Sequence, residues 1–187
     1  MNALGDSWTS LEELVSKLAE TPVLDANLPL QTHLLHADPD SRASCLLVQF
    51  PVGWKRGTGT YSCAEHALIL EGEIILDDHT WKATEGFIVP GGITRRETYS
   101  PHGALAVAWF GGAPRWTSGG EPLSKPSCEP WQGDNPINPI NPIEPIGSIG
   151  AFDEVDVTNQ RWRHNLQSSE SEAESDSGII RYQWPRP

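Results

Sequence analysis

The chain has 187 residues, a formal net charge of −12 and a pI near 4.8. Binding to nucleic acid rests on basic surface that releases counterions from phosphate, so this balance argues against a nucleic-acid partner and against an anionic membrane. With 37% hydrophobic residues, 16 prolines and 17 glycines, the composition favours strands, turns and loops over a helix bundle.

The opening residues, MNALGDSWTSLEEL, have no basic region followed by an apolar core, so no signal peptide is expected. No apolar run approaches the ~20 residues that span a bilayer. Three scattered cysteines, Cys45, Cys63 and Cys128, do not form a disulfide framework. Reduced thiols and a cytoplasmic location are the expectation.

Ser10 and Glu13 have the spacing of a capping box. Leu11, Leu14, Val15 and Leu18 then fall on one helical face. This predicts a helix ending before Pro22, packed on a barrel exterior or on a second subunit. Next come strand signals. QTHLLHA (31–37) is a strand and ADPDS its turn. CLLVQF (45–50) is apolar and β-prone. PVGWKRGTG is a glycine-rich connection. HALILEGEIIL (66–76) reads as two strands around a turn at Glu71 and Gly72. TWKATEGFIVPGG holds two more, and ITRRETYS and ALAVAWF, split by PHG, are the last. Short strands at this spacing, with no βαβ alternation, predict an antiparallel sandwich or barrel and exclude a doubly wound sheet.

After Trp116 the composition changes. Three NPI repeats and an EPI (135–146) remove backbone donors and fix φ, which predicts a linker or arm. SSESEAESDS (168–177) is acidic and of low complexity, as disordered segments are. GIIRYQWPRP (178–187) reads as a tail or a short docking segment, the tail preferred. The expected organisation is a helical segment at 1–27, a barrel at 28–116 and a Pro-rich, acidic tail at 117–187.

Leu70-Glu71-Gly72 after an apolar strand, Gly86-Phe-Ile-Val-Pro-Gly-Gly92, and Ser100-Pro-His-Gly103 ahead of ALAVAWF together resemble the cupins. The nearer likeness is to the ChrR-type anti-sigma cupins and their dioxygenase-like relatives, over residues 28–113. The resemblance implies an all-β, RmlC-like jelly-roll barrel of six to eight strands with a pocket at one mouth. It also implies that dimerisation through outer strands and an N-terminal segment is common, so a homodimer is one expected assembly.

Such cupins usually hold a divalent metal through H-x-H-x3-E and a later histidine. With Glu65 as the glutamate, the histidine positions fall on Gly59, Tyr61 and Arg95. One ligand of four remains. Glycine has no side chain, and a guanidinium is cationic and offers no lone pair. The expectation is a cupin barrel with no metal and no other cofactor. His66 neighbours Glu65 and points to the opposite face. His33, His36 and His102 read as ordinary surface or hydrogen-bonded histidines, and Cys63 as a small buried thiol.

Glu65 and Arg95 are expected to meet where the metal would sit. Either the pair plugs a dead site, or Arg95 holds an anionic or carbonyl-bearing ligand that Glu65 orients and Tyr61 contacts. Glu97 shares parity with Arg95 and is expected on the same wall. Trp54 is a candidate lid, with Lys55 and Arg56 making the mouth locally basic. Trp81 and Trp109 fall in or beside the barrel, Trp109 as core. The ligand-binding candidates are therefore Trp54, Tyr61, Glu65, Arg95 and Glu97, with no catalytic residue assigned. Three functions compete. One is a module that binds a small molecule or a partner protein. The second is a metal-independent isomerase or lyase, with Glu65 or Glu97 as base, Tyr61 as acid and Arg95 stabilising charge. The third, placed last, is a metal-dependent dioxygenase-like enzyme.

Overall fold

The computed structural model describes residues 8–124, 126–131, 152–165 and 179–183, in two compact units. The repeats at 135–146 and the acidic run at 168–177 lie outside the described residues. In chain order the first elements are β1 (Thr9–Ser10), α1 (Leu11–Val15) and β2 (Ala19–Thr21). The Ser10 hydroxyl accepts the Glu13 N–H at 3.2 Å, so the capping box forms on that side, and Leu11 and Leu14 are buried. The helix is only five residues long. It stops short of the expected Leu18 because the next residues find a better partner: β2 pairs with β3 (Leu30–Ala37), and the Thr21 and Thr32 hydroxyls lie 2.8 Å apart.

The barrel unit spans Lys17–Trp131. After β3 come β4 (Ser44–Phe50), β5 (Trp54–Arg56), β6 (Gly59–Tyr61), β7 (Glu65–Leu76) and β8 (His79–Lys82). Then follow β9 (Gly86–Val89), β10 (Thr94–Arg95), β11 (Thr98–Ser100), β12 (Ala104–Phe110), β13 (Trp116–Ser118) and β14 (Glu129–Trp131). All pairings are antiparallel. One sheet runs β14-β9-β7-β12-β4-β3-β2, another β10-β6-β13; β11 and β8 attach at the far half of β7, and β5 pairs with β11.

Glu71 and Gly72 do not make the expected hairpin turn. They lie inside one continuous strand, β7. Gly72 has φ +72, and a Cβ there would stand 2.1 Å from the Gly103 carbonyl oxygen. The pairing with β12 shifts by one residue beside it. The unpaired residue is Leu70, and this bulge together with the positive-φ glycine two positions on bends the strand, so β7 serves one sheet with its first half and a second with its end. That corner closes the barrel.

β12 is buried along all seven residues. Ala104, Ala106, Ala108 and Phe110 alternate with Leu105, Val107 and Trp109, as period two requires for a strand covered on both faces. The first set belongs to the barrel interior, where Ala67, Ile69, Ile74, Leu76, Phe87, Val89 and Cys128 pack with Ala104 and Ala106. Cys128 arrives because the chain returns after β13. Asp77 accepts the Ser127 N–H and hydroxyl and, at 3.0 Å, the Arg96 N–H, and β14 then adds to β9. The barrel unit thus extends past the boundary expected at residue 116.

The second unit contains β1, α1, β15 (Phe152–Asp156), β16 (Arg161–Asn165) and β17 (Ile179–Gln183). Its sheet order is β1-β16-β15-β17, and Leu11 donates its N–H to the Gln160 carbonyl at 2.8 Å. Val155 and Trp162 are buried. Strands therefore occur within the span expected as a tail. Their short apolar alternations were hidden between proline-rich and acidic stretches. Among the described residues no helix is long and apolar enough to cross a membrane.

Candidate functional site

A cavity of about 340 Å³ opens inside the barrel unit. Its walls are mostly apolar and include Leu46, Val48, Phe50, Phe87 and Phe110. The space exists because three inward positions carry the smallest apolar side chain. Ala67 pairs directly with Ala108 across β7 and β12, and Ala106 lies one inward step along.

The polar end is built by three short strands. β6 places Gly59 and Tyr61 between β10 and β13, so that Arg95 pairs with Gly59 and Trp116 with Tyr61. Gly59 is required there. A Cβ at this position would stand 2.2 Å from the Trp116 ring and 2.6 Å from the Thr117 carbonyl oxygen. Gly59→Ala is expected to displace Trp116 and cost ~1–3 kcal/mol, the usual range for overpacking, read as a lowered denaturant midpoint.

Arg95 is 4% exposed and forms an ion pair and hydrogen bond with Glu65. Its guanidinium also lies 5.0 Å from the Tyr61 ring centre. A second guanidinium flanks the same ring. Arg56 is 7% exposed, donates Nε–H to the Leu24 carbonyl at 3.1 Å, and donates from Nη1 to the Tyr61 hydroxyl at 2.5 Å. It stacks 3.6 Å over the Trp116 ring. Tyr61 packs edge-on against Phe110 at 5.2 Å and Trp116 at 5.0 Å. Burial, and then the charge of Glu65, push the phenol pKa above its ordinary value of 10.0. Tyr61 is therefore a neutral O–H donor near pH 7. Arg95 Nε–H is buried in the cavity wall with no hydrogen-bond partner among the described residues.

Asp25 stands just outside this end. Its carboxylate accepts from Trp116 Nε1 at 2.9 Å, and hydrogen bonds from Ser118 and Trp116 hold its pKa below the usual value.

Of the residues singled out from sequence, Trp54, Tyr61, Glu65 and Arg95 line the cavity. Trp54 is no lid. It opens β5, is 2% exposed, donates Nε1–H to the Leu28 carbonyl at 3.1 Å and packs edge-on against Phe50 at 5.0 Å. Burying an indole that finds a carbonyl partner makes it wall rather than gate. Glu97 leaves the site. It is exposed and pairs with Lys55 at 3.4 Å on the surface. Parity does not carry from Arg95 to Glu97, because β10 ends at Arg95 and β11 starts at Thr98, and the break between them turns Thr98 inward instead. Cys63 donates to the Gly112 carbonyl at 3.4 Å and packs on the apolar cluster that includes Phe110. His66 points to the other face of β7, as expected, but is buried there at 1% exposure. His102 is exposed, 3.8 Å from Glu73.

Arg56 and Trp116 were missed as site residues. Arg56, expected with Lys55 to make the mouth locally basic, instead lines the cavity; it shares the inward parity of Trp54 two residues before, and that spacing is the available signal. Trp116 is the last residue of the expected barrel, and its pairing with Tyr61 through β13 has no local signal in the sequence.

The residues that the sequence resemblance puts at metal-ligand positions do not fit a divalent ion. Gly59 has no room for a side chain, Tyr61 is a neutral phenol engaged by Arg56, and Arg95 brings a fixed positive charge. Among the described residues no group of three or more His, Cys, Asp or Glu side chains is arranged to hold a metal.

No family model and no curated protein matches the chain. Solved structures do. A provisionally assigned dioxygenase from Nostoc punctiforme matches with a TM-score of 0.65 and 11% identity, over 95% of this chain and 78% of that one. A provisionally assigned acetylacetone dioxygenase from Methylibium petroleiphilum matches with a TM-score of 0.53 and 12% identity, over 70% of this chain and 92% of that one. The anti-sigma protein ChrR of Rhodobacter sphaeroides, solved with SigE, reaches a TM-score of 0.39 at 14% identity, over 43% of this chain and 44% of that one, which is too distant to argue from. At these identities the likeness is one of fold. The barrel is a cupin-type antiparallel jelly roll, as the glycine and proline motifs led us to expect.

Proposed function

We propose that the barrel is a metal-independent binding module for a small organic anion. The observation that carries this reading is the charge of the cavity wall. Two buried guanidiniums, Arg56 and Arg95, face one carboxylate, Glu65. The apolar surroundings are left with one uncompensated positive charge, and such a charge is costly unless an anion joins it. Asp25 answers Arg56 only from the exposed side, where water and salt weaken the attraction. A largely apolar cavity with a few convergent polar groups is the usual form of a small-molecule site. The Arg95 Nε–H and the Tyr61 hydroxyl are donors that a bound carboxylate, sulfonate or enolate would satisfy. Proton transfer is less well served, because Glu65 is already held by Arg95.

Arg56→Met tests the reading. A charge-assisted hydrogen bond contributes ~1.5–3 kcal/mol, so the variant is expected to bind organic anions about ten- to a hundredfold more weakly in isothermal titration. The Nε–Leu24 bond is lost as well, so its fold is checked by circular dichroism. Equal affinity of wild type and variant for every anion that binds would refute the proposal.

A further inference from the structure

We infer that the anion is a monocarboxylate with a linear or flat apolar body, and that Ala106 and Ala108 set the length of body accepted. This rests on the anion-binding reading above and specifies its ligand.

The net charge fixes the valence. Arg56, Arg95 and Glu65 sum to +1, so one negative charge neutralises the wall and a second would be buried without a partner. The donors fix the head group. A carboxylate has two in-plane oxygens that suit guanidinium and phenol donors together. Arg95 Nε–H is unpartnered, and of the five N–H groups of Arg56 the bonds to Leu24 and Tyr61 engage Nε and Nη1 alone.

The register fixes the direction of the body. Glu65 pairs with Phe110 at the charged end of the cavity, and the next inward layer is Ala67 with Ala108, followed by Ala106. From Phe110 to Ala106 the strand advances about 13 Å at ~3.3 Å per residue. The larger side chains of Leu46, Val48 and Phe87 stand around this track, so the missing volume is concentrated over the alanines. An apolar chain leaving the charged end would run along them. Its burial should tighten binding by up to about fourfold per methylene.

The experiment is titration calorimetry on the full chain near pH 7 with butyrate, octanoate, octanamide and octanesulfonate, repeated on Ala108→Leu and on the milder Ala106→Val. Octanoate should bind at least tenfold more tightly than butyrate and than octanamide, and more tightly than octanesulfonate. Ala108→Leu should remove most of the octanoate advantage over butyrate, with Ala106→Val doing the same to a lesser degree. If Ala108→Leu does not fold, Ala106→Val alone decides. Equal affinity for butyrate and octanoate, or equal octanoate binding by the folded variants, overturns the assignment of the alanine track and leaves the anion site standing. A preference for octanesulfonate overturns the carboxylate assignment alone. Octanamide binding as well as octanoate overturns the anion reading itself, and no binding by any of the four overturns both.

Discussion

Arg95→Met should destabilise the barrel by ~3–5 kcal/mol, and Arg95→Met combined with Glu65→Gln by clearly less. Both side chains are largely buried, at 5% and 14% exposure, and they bond directly. Removing Arg95 leaves Glu65 without its direct partner, and Arg56 does not replace it because its bonds go to the Leu24 carbonyl and the Tyr61 hydroxyl, which accounts for the size of the single effect. Removing both charges lets neutral side chains fill the space, and a buried pair replaced by apolar groups is often neutral for stability. Arg56 remains in every variant, so its own attraction to Glu65 cancels between arms of the cycle. The measurement is chemical denaturation of wild type, both single variants and the double variant. A coupling energy of 2 kcal/mol or more is expected, well above what exposed pairs give. Additive effects would mean that Glu65 and Arg95 act independently.

The fold was readable because the glycine and proline signals at its corners are set by backbone geometry. Gly72 must adopt positive φ and admit the Gly103 carbonyl. Its physical role differed from the one inferred: Glu71 and Gly72 bend one strand and do not end it. A positive-φ glycine serves a strand bend and a hairpin turn alike, and the choice between them depends on which strands lie alongside, which no local window contains. The same limit hid β2 and β14. Ala19–Thr21 and Glu129–Trp131 have weak intrinsic strand character and become strands because β3 and β9 offer edges to pair with.

The candidate site was readable where strand parity holds without interruption and unreadable where it breaks. Tyr61 and Glu65 face inward as counting by twos requires, although the chain leaves strand geometry between them. Counting from Arg95 to Glu97 failed at the gap between β10 and β11. Trp54 and Arg56 show the opposite case. Period two places both inward, but an arginine beside a lysine in a glycine-rich loop reads as solvated. What buries Arg56 is tertiary: the Leu24 carbonyl, the Tyr61 hydroxyl and the Trp116 face, drawn from three separate segments.

The stability of the barrel should fall by about 3 kcal/mol between pH 7 and pH 4 through His66 alone. Burial lowers the pKa of this histidine from 6.5 to about 4. The cause is desolvation. His66 sits on β7 opposite Trp109 and Ile88, on the face turned away from the cavity, and a charge there loses its hydration. In the unfolded chain the same group titrates near 6.5. Between pH 6.5 and 4 the unfolded state therefore binds more protons than the folded state, so stability rises with pH across that window and falls as pH is lowered through it. Above about 6.5 the group is neutral in both states and contributes no slope. Each pKa unit corresponds to about 1.4 kcal/mol, which sets the total. Carboxylates titrate in the same range, so the contribution is isolated by difference. His66→Gln keeps a neutral polar group at the position and does not titrate. Urea denaturation of wild type and variant at half-unit steps from pH 7.5 to 4 should give parallel stabilities above pH 7. The curves should then converge, or cross, by about 3 kcal/mol toward pH 4. Parallel curves down to pH 4 would show that His66 accepts its proton in the folded barrel at the ordinary cost.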